Sequence, residues 1–151
     1  MPTGTYEVEL NIPINSIWEF VSDMNNWAPL VPGYIEHTIL NETQSTWAFI
    51  GDIGVMKKKI NLHIDINEWQ GPNLVSFGLK GVNENFSGTG YFKAVALSDS
   101  HTKMIGHLDI TAAGMLGPLV NPALKSFVPK TATELTDNIA RKINELNTVS
   151  K

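Results

Sequence analysis

Four histidines, two of which lie two positions from an aspartate, are the residues of this sequence best suited to chemistry. On a β-strand His63 and Asp65 would share one face, as would His107 and Asp109, so each pair could offer two ligands to a metal ion. The sequence has no HExxH motif and no pair of histidines at helical spacing. The opposite faces of these strands are apolar, so both pairs should point to solvent, which favours ordinary cross-strand polar residues. We predict neither a metal site nor a bound cofactor.

Nucleophilic catalysis has little support in the sequence. The absence of cysteine removes thiol nucleophiles, disulfides and thiolate metal ligands together. No GxSxG motif would place a serine on a strained turn, and the SGTG stretch at 87–90 lacks the lysine of a phosphate-binding loop. Asp52, in a glycine-flanked turn, is the one acid whose direction the pattern leaves open. No catalytic residue is predicted, and binding is favoured over catalysis.

The composition is that of one ordinary globular domain, which we take to span residues 1–151. Apolar residues make up 42% and charged residues 17% of the sequence, and the net charge is −4. This charge and the scattered basic residues argue against a nucleic-acid partner, since the lysines at 57–59 would alternate faces on a strand. There is no secretory signal and no apolar run able to span a bilayer, so we expect a cytoplasmic protein without a transmembrane segment.

Alternation of apolar and polar residues predicts seven strands. The clearest lies at 56–69, where every second residue from Ile60 to Ile66 is apolar and the residues between them are polar. The other predicted strands lie between turn-forming residues, at 5–12, 34–42, 45–53, 73–80, 85–97 and 102–112. Successive hairpins of this kind indicate an antiparallel sheet with one apolar face.

Two short helical segments interrupt the strands after the first one. Residues 15–24 have an amphipathic pattern, with Asn15 or Ser16 as the cap. Residues 27–33 contain two prolines and are predicted to form a broken turn instead of a full helix.

A long helix is predicted at the end of the chain. Apolar residues recur at spacings of three and four from Leu119 to Leu146, which favours a helix that covers the apolar face of the sheet. Asn121 and Pro122 fit its cap and first position. Pro129 falls inside it and has no N–H for the preceding turn, so a kink is expected there. The predicted fold is therefore α+β, a curved seven-stranded antiparallel sheet wrapped around a long kinked C-terminal helix, with two short helices after the first strand.

Three glycine-containing stretches allow a comparison with known families. They are IWEFVSDMNNWAPLVPG at 17–33, GDIGVMKKKI at 51–60 and HLDITAAGMLGPL at 107–119. Together with the order of elements, they resemble the START-like (SRPBCC) superfamily with its helix-grip fold, and most closely its CoxG-like group, which is related to carbon monoxide dehydrogenase. The resemblance implies a cavity between the sheet and the long helix that accepts hydrophobic or amphipathic small molecules. It also implies that strands 56–69 and 102–112 are not neighbours.

The predicted ligand-binding residues occupy inward positions on the strands, on the long helix or in the segments that join them. They are Trp27, Trp47, Phe49, Leu62, Ile64, Phe77, Phe92, Met104, Leu108, Leu116, Leu124, Phe127 and Val128. A filled core is the alternative, because apolar stripes usually pack solidly. Gly88, Gly90 and Gly106 favour a cavity, since they remove side chains from inward positions of long strands.

Three aromatic residues could contact a ligand more specifically. Trp27 and Trp47 could line the entrance, where an amphipathic ring meets both ligand and water, and ordinary packing is the alternative. Tyr34 could offer its hydroxyl to the polar head of a ligand.

We therefore expect a non-catalytic protein that binds a lipid-like or aromatic small molecule. Two alternatives stay open. One is a polyketide cyclase or aromatase-like enzyme, which would need an inward-facing acid or histidine. The other is an accessory protein that helps to assemble a metalloenzyme of the carbon monoxide dehydrogenase type.

Overall fold

The computed structural model describes residues 3–52, 57–82, 85–114 and 117–149. Seven strands and three α-helices follow one another in the predicted order. They are β1 (Thr3–Leu10), α1 (Ile14–Val21), α2 (Met24–Trp27), a 3-10 turn (Ala28–Leu30), β2 (Tyr34–Ile39), β3 (Gln44–Asp52), β4 (Lys57–Gln70), β5 (Leu74–Gly81), β6 (Phe86–Ser98), β7 (His101–Ala112) and α3 (Gly117–Val149).

The strands form one curved antiparallel sheet in the order β1-β7-β6-β5-β4-β3-β2. Each hairpin pairs strands that are consecutive in the chain, and only the β1–β7 pair joins distant segments. Strands β4 and β7 are separated by β5 and β6, as predicted. The predicted seven-stranded α+β architecture with a long C-terminal helix is therefore confirmed.

Strand β7 shows how the sequence builds the sheet. Its residues alternate between buried and half-buried positions along the whole strand, and Met104 and Leu108 are among those that point into the core. Helix α3 packs mainly against β1 and β7 and covers this part of the concave face. An antiparallel sheet with one solvated face requires this alternation.

The helices begin at different residues from those predicted. Helix α1 begins at Ile14, and its cap is Pro13, whose extended backbone leads into the helix without a side-chain cap. Helix α3 begins at Gly117, four residues before Asn121. The Asn121 side chain instead accepts a hydrogen bond from the Ala112 amide at 2.8 Å and donates one to its carbonyl at 2.9 Å. This asparagine therefore ties the first turn of α3 to the end of β7.

Helix α3 is continuous from Gly117 to Val149 and includes Pro129. At this proline the helix backbone lies directly against β1, where a side chain on Gly4 would collide with the Pro129 Cα atom. The proline supplies no N–H to the preceding turn. The helix thus comes closest to β1 at this point, and the kink expected there stays a prediction.

Candidate functional site

Most of the predicted ligand-binding residues belong to one continuous core. The buried ones are Trp27, Trp47, Phe49, Leu62, Ile64, Phe77, Phe92, Met104, Leu108, Leu124 and Val128. Phe127 is half-buried and packs against the same core, and Leu116 lies outside the described residues. The structure thus brings these side chains together on the concave side of the sheet, and their contact with a ligand stays a prediction.

Trp27 is at the centre of an aromatic cluster. It has no exposed surface, and its ring centroid lies 5.2 Å from that of Trp47, 5.0 Å from that of Phe92 and 5.8 Å from that of Phe77. Its Nε1 donates a hydrogen bond to the Val21 carbonyl at 2.9 Å. A buried indole needs such a partner for its N–H. The region around Trp27 is therefore closely packed.

The glycines that favoured a cavity leave little space beside them. A Cβ on Gly106 would collide with the Thr136 hydroxyl of α3, and one on Gly90 would lie 2.6 Å from the Phe77 ring. A Cβ on Gly88 would collide with a backbone carbonyl of β7. Each glycine therefore admits a close neighbour, and none of them indicates a void.

An open groove of about 390 Å³ lies between α3 and the sheet, beside the start of β2. We call it the helix groove. Its lining comes from the Pro-Gly turn before β2, from β3 and from one side of α3. The lining residues are Pro32, Gly33, Ile50, Ala123, Ser126, Phe127, Lys130, Thr131 and Glu134.

Glycine is required on the sheet side of the helix groove. Gly33 has a φ of 79°, a backbone conformation that side chains rarely adopt. Its carbonyl accepts a hydrogen bond from the Ile50 amide at 2.9 Å. A Cβ at this position would collide with the Ile50 carbonyl. The tight approach of the turn to β3 thus sets the width of the groove.

The helix side of the groove is amphipathic. Phe127 provides an apolar surface, and its ring lies over Gly51, where an added Cβ would be 3.4 Å from Phe127 Cζ. Lys130 and Glu134 form a long ion pair of 4.0 Å, and both side chains are well exposed. Such a pair contributes little to stability and can exchange for other partners. The groove therefore offers an apolar contact beside groups that can bind a polar head.

Solved structures share this fold over almost its whole length. A conserved protein from Geobacillus kaustophilus matches with a TM-score of 0.79 and 14% identity, over 95% of each chain. A START superfamily protein from Mycobacterium smegmatis has a TM-score of 0.73 and 17% identity, over 95% of this chain and 98% of that one. The Zhui aromatase/cyclase from a Streptomyces species has a TM-score of 0.71 and 14% identity, over 95% and 93%.

A family model also matches residues 1–145. The chain belongs to the START-like superfamily. No curated protein matches it, and identities of 17% or less to the three solved structures establish the fold alone. Membership of the narrower CoxG-like group stays a prediction. None of the helices in the described parts of this START-like chain is both long and apolar enough to cross a membrane.

The outer face of the START-like sheet carries the two predicted histidine–aspartate pairs. His63 Nε2 lies 3.9 Å from Asp65 Oδ2, and His107 Nε2 lies 2.8 Å from Asp109 Oδ2. Within the described ranges, no three histidine, aspartate or glutamate side chains come together as a metal site requires. The two pairs also lie on strands that are not neighbours.

The second pair forms part of a hydrogen-bonded chain. Thr5 Oγ1 lies 2.6 Å from His107 Nδ1, so hydroxyl, imidazole and the Asp109 carboxylate follow one another. The Thr3 hydroxyl first, and then the hydrogen bond and charge of His107, hold the pKa of Asp109 below its ordinary value of 3.8, while burial opposes them. This chain lies on the solvent side of the sheet, away from the helix groove, and we interpret it as a structural network.

Tyr34 is hydrogen-bonded within the protein. Its hydroxyl lies 2.6 Å from His37 Nδ1, and His37 Nε2 lies 2.7 Å from Asn25 Oδ1. If Nε2 donates to the amide oxygen, Nδ1 accepts the Tyr34 proton. The predicted role of this hydroxyl in ligand binding stays a prediction.

Of the residues that line the helix groove, Phe127 was predicted from the sequence and the others were missed. A weak signal was present, because Ser126, Lys130 and Glu134 recur every four residues beside the apolar face of the helix. Polar rows of this kind occur on most surface helices. The position of Gly33 against Ile50 had no sequence signal beyond the Pro-Gly turn itself.

Proposed function

We propose that this START-like protein binds a hydrophobic or amphipathic small molecule, lipid-like or aromatic, between the curved sheet and α3. The observation that carries the proposal is the helix groove, whose volume of about 390 Å³ falls in the range of ligand sites. Phe127 and Ile50 supply its apolar side, and Lys130 and Glu134 supply its polar side. The fold shared with START superfamily and aromatase/cyclase structures supports the same proposal.

Phe127 would separate the groove from the interior. The ring is half-buried, with the core on one side and the groove on the other. Half-exposed side chains change rotamer on a nanosecond timescale. A ligand that displaces this ring would reach the inward residues predicted from the sequence, beginning with the neighbours of Gly51.

Apolar burial would supply most of the affinity. Removal of about 200 Å² of apolar surface from water contributes roughly 5 kcal/mol before the costs of association. Ser126 and Thr131 carry hydroxyls at the groove, and these groups with Lys130 would set the orientation of the ligand head.

Catalysis of the cyclase or aromatase kind is a weaker alternative. General acid–base groups need environments that tune their pKa values, usually by burial. The titratable side chains that line the helix groove are Lys130 and Glu134, and both are well exposed. For the role in metalloenzyme assembly we find no supporting contact or surface in the described residues. Ligand binding is therefore the better supported function.

Native mass spectrometry of the purified protein, with identification of any bound molecule, tests the proposal directly. A second assay titrates the protein with the fluorescent amphipathic probe ANS. We expect saturable binding, and we expect Phe127→Glu to weaken it about tenfold or more, because a carboxylate would be placed against the apolar part of the ligand. Leu97→Glu is the matched control, since Leu97 is 50% exposed on β6 and lies outside the groove.

The outcome of the paired variants decides the proposal. Equal loss of ANS binding in both variants would indicate a general surface effect. Unchanged binding in Phe127→Glu, or an apo mass together with no saturable probe uptake by the natural sequence, would contradict a ligand site at the helix groove.

A further inference from the structure

The four tryptophans of the chain form two pairs with different surroundings. Trp27 and Trp47 are buried in the core, whereas Trp18 and Trp69 are half-buried. The second pair lines another groove, of about 460 Å³, which we call the tryptophan groove. Its lining residues come from α1, α2, the β2–β3 turn and the end of β4. They are Trp18, Ser22, Asp23, Met24, Asn25, Ile39, Asn41, Glu42 and Trp69.

Both indoles of this groove are held in place by the fold. Their ring centroids lie 6.3 Å apart with planes at 82°, an edge-to-face contact. Trp69 Nε1 donates a hydrogen bond to the Glu42 carbonyl at 3.2 Å. Trp18 lies over Gly71, where an added Cβ would be 2.6 Å from its Cε2 atom. The aromatic surface of the groove is thus formed before any ligand binds.

Two carboxylates line the same groove, and their segments are also fixed. Asp23 Oδ1 accepts a hydrogen bond from the Asn25 amide at 2.9 Å and caps α2. Asn41 Oδ1 accepts hydrogen bonds from the amides of Thr43 and Gln44, each at 2.9 Å, and so fixes the turn that carries Glu42. Side-chain bonds of this kind determine turn geometry.

The charge of the tryptophan groove is one-sided. Its described lining contains two acidic side chains and no lysine, arginine or histidine. Among the residues that the structure describes, neither Asp23 nor Glu42 has an ion-pair partner within 4.0 Å. A cation that entered the groove would therefore not have to displace a protein cation.

We propose that the tryptophan groove binds an organic cation, an ammonium group with an apolar or aromatic substituent. Indole faces attract cations more strongly than other aromatic rings, and quaternary ammonium groups are recognised in this way. Asp23 and Glu42 add two negative charges beside the rings, and Ile39 offers a contact for the substituent. The same carboxylates disfavour an anionic ligand, and a neutral apolar ligand would gain nothing from them. This site is separate from the helix groove and does not depend on its function.

The four tryptophans provide the assay. Benzyltrimethylammonium is titrated into nitrogen-15-labelled protein, and the four indole N–H signals are followed by NMR after assignment by substitution. We expect saturable shifts of the Trp18 and Trp69 signals, while the buried Trp27 and Trp47 signals stay in place. Benzyl alcohol and phenylacetate, the neutral and anionic counterparts, should shift the first pair little at the same concentrations.

Variants separate the charges from the rings. Asp23→Asn keeps a good helix cap and removes one charge, and Glu42→Gln removes the other without a change in size. We expect each to weaken the cation about two- to fivefold, as for an exposed ion pair. Trp69→Leu should weaken it about five- to tenfold through loss of the cation–π contact. Asp99→Asn, in the β6–β7 turn, is the control of equal charge.

The fold of each variant is checked by the Trp27 and Trp47 signals, which report the core. Equal shifts with all three probes, no saturable shift with the cation, or unchanged affinity in the Asp23→Asn/Glu42→Gln double variant would overturn the proposal. Phe127→Glu should bind the cation as the natural sequence does, so failure at one groove is distinguishable from failure at the other.

Discussion

Helix α3 meets the sheet differently along its two sides. Towards β1 and β7 the contact is backbone to side chain, with Pro129 against Gly4 and the Thr136 hydroxyl against Gly106. Towards β2 and β3 the helix groove separates the two elements, and Phe127 and a 3.0 Å hydrogen bond from Asn138 to the Leu30 carbonyl bridge them. One side of the helix is therefore closed and the other is open.

The difference shows how a ligand site can exist without a loss of stability. Glycines on the closed side let the helix come within van der Waals distance of the strands, where dispersion contacts are numerous. This contact fixes the helix, so the open side does not have to. Changes on the closed side should therefore affect folding most, and changes on the open side should affect ligand binding most.

The largest effect is expected at Gly106. Gly106→Ala places a methyl group into the Thr136 hydroxyl, and we expect a loss of about 3 kcal/mol in the free energy of unfolding, the upper part of the range for overpacked cores. Thr136→Ala removes the colliding oxygen and should recover more than half of this loss in the double variant. Urea unfolding of the four proteins gives the coupling.

Gly78→Ala serves as the control for this cycle. A Cβ on Gly78 would meet its nearest atoms at 3.9 and 4.0 Å, which is ordinary contact. We expect a change below about 0.5 kcal/mol, as for other tolerated substitutions. A loss in Gly106→Ala no larger than that in Gly78→Ala would show that α3 is not tightly held on this side.

A smaller effect is expected on the open side, at Gly33. Gly33→Ala forces a side chain into a left-handed backbone conformation and against the Ile50 carbonyl. We expect a loss of about 2 kcal/mol in unfolding free energy, together with weaker ANS binding because the turn moves. Retained ANS affinity would mean that this turn does not shape the ligand site.

The fold could be predicted because its signals are local. The alternation from Ile60 to Ile66 and the turn at 71–73 depend on residues close in sequence, and consecutive hairpins leave few possible sheet orders. The start of α3 was misplaced for the same reason. Asn121 is a residue type common at caps, and its use as a link to Ala112 depends on a contact between two elements.

The candidate site was harder to predict because it depends on distant contacts. A glycine at an inward position fits either a void or a close neighbour, and only the placement of Thr136 on Gly106 separates the two. Trp18 and Trp69 are far apart in sequence, so their shared groove had no local pattern. Residue type alone gave no sign of which two of the four tryptophans are buried.

The smallest effect is expected on the outer face of the closed side, where β1 and β7 carry Thr3 and Asp109. The Thr3 hydroxyl lies 3.3 Å from the Leu108 carbonyl and also bonds the Asp109 carboxylate. Its single proton can serve one of them at a time, and the bond to the charged group is the stronger. This hydroxyl first, and then His107, holds the pKa of Asp109 below 3.8 in the folded protein.

A lowered pKa fixes the sign of the pH dependence. The unfolded chain binds the Asp109 proton more tightly than the folded protein, so the ionised carboxylate stabilises the fold at neutral pH. This contribution should be lost as the pH falls below the ordinary value of 3.8 and through the folded pKa. Urea unfolding against pH should therefore show a shallower acid decline for Asp109→Asn than for the natural sequence. The Asp65→Asn control, in the looser pair with His63 at 3.9 Å, should retain the natural slope, and equal slopes in all three proteins would show that Asp109 does not stabilise the β1–β7 pair.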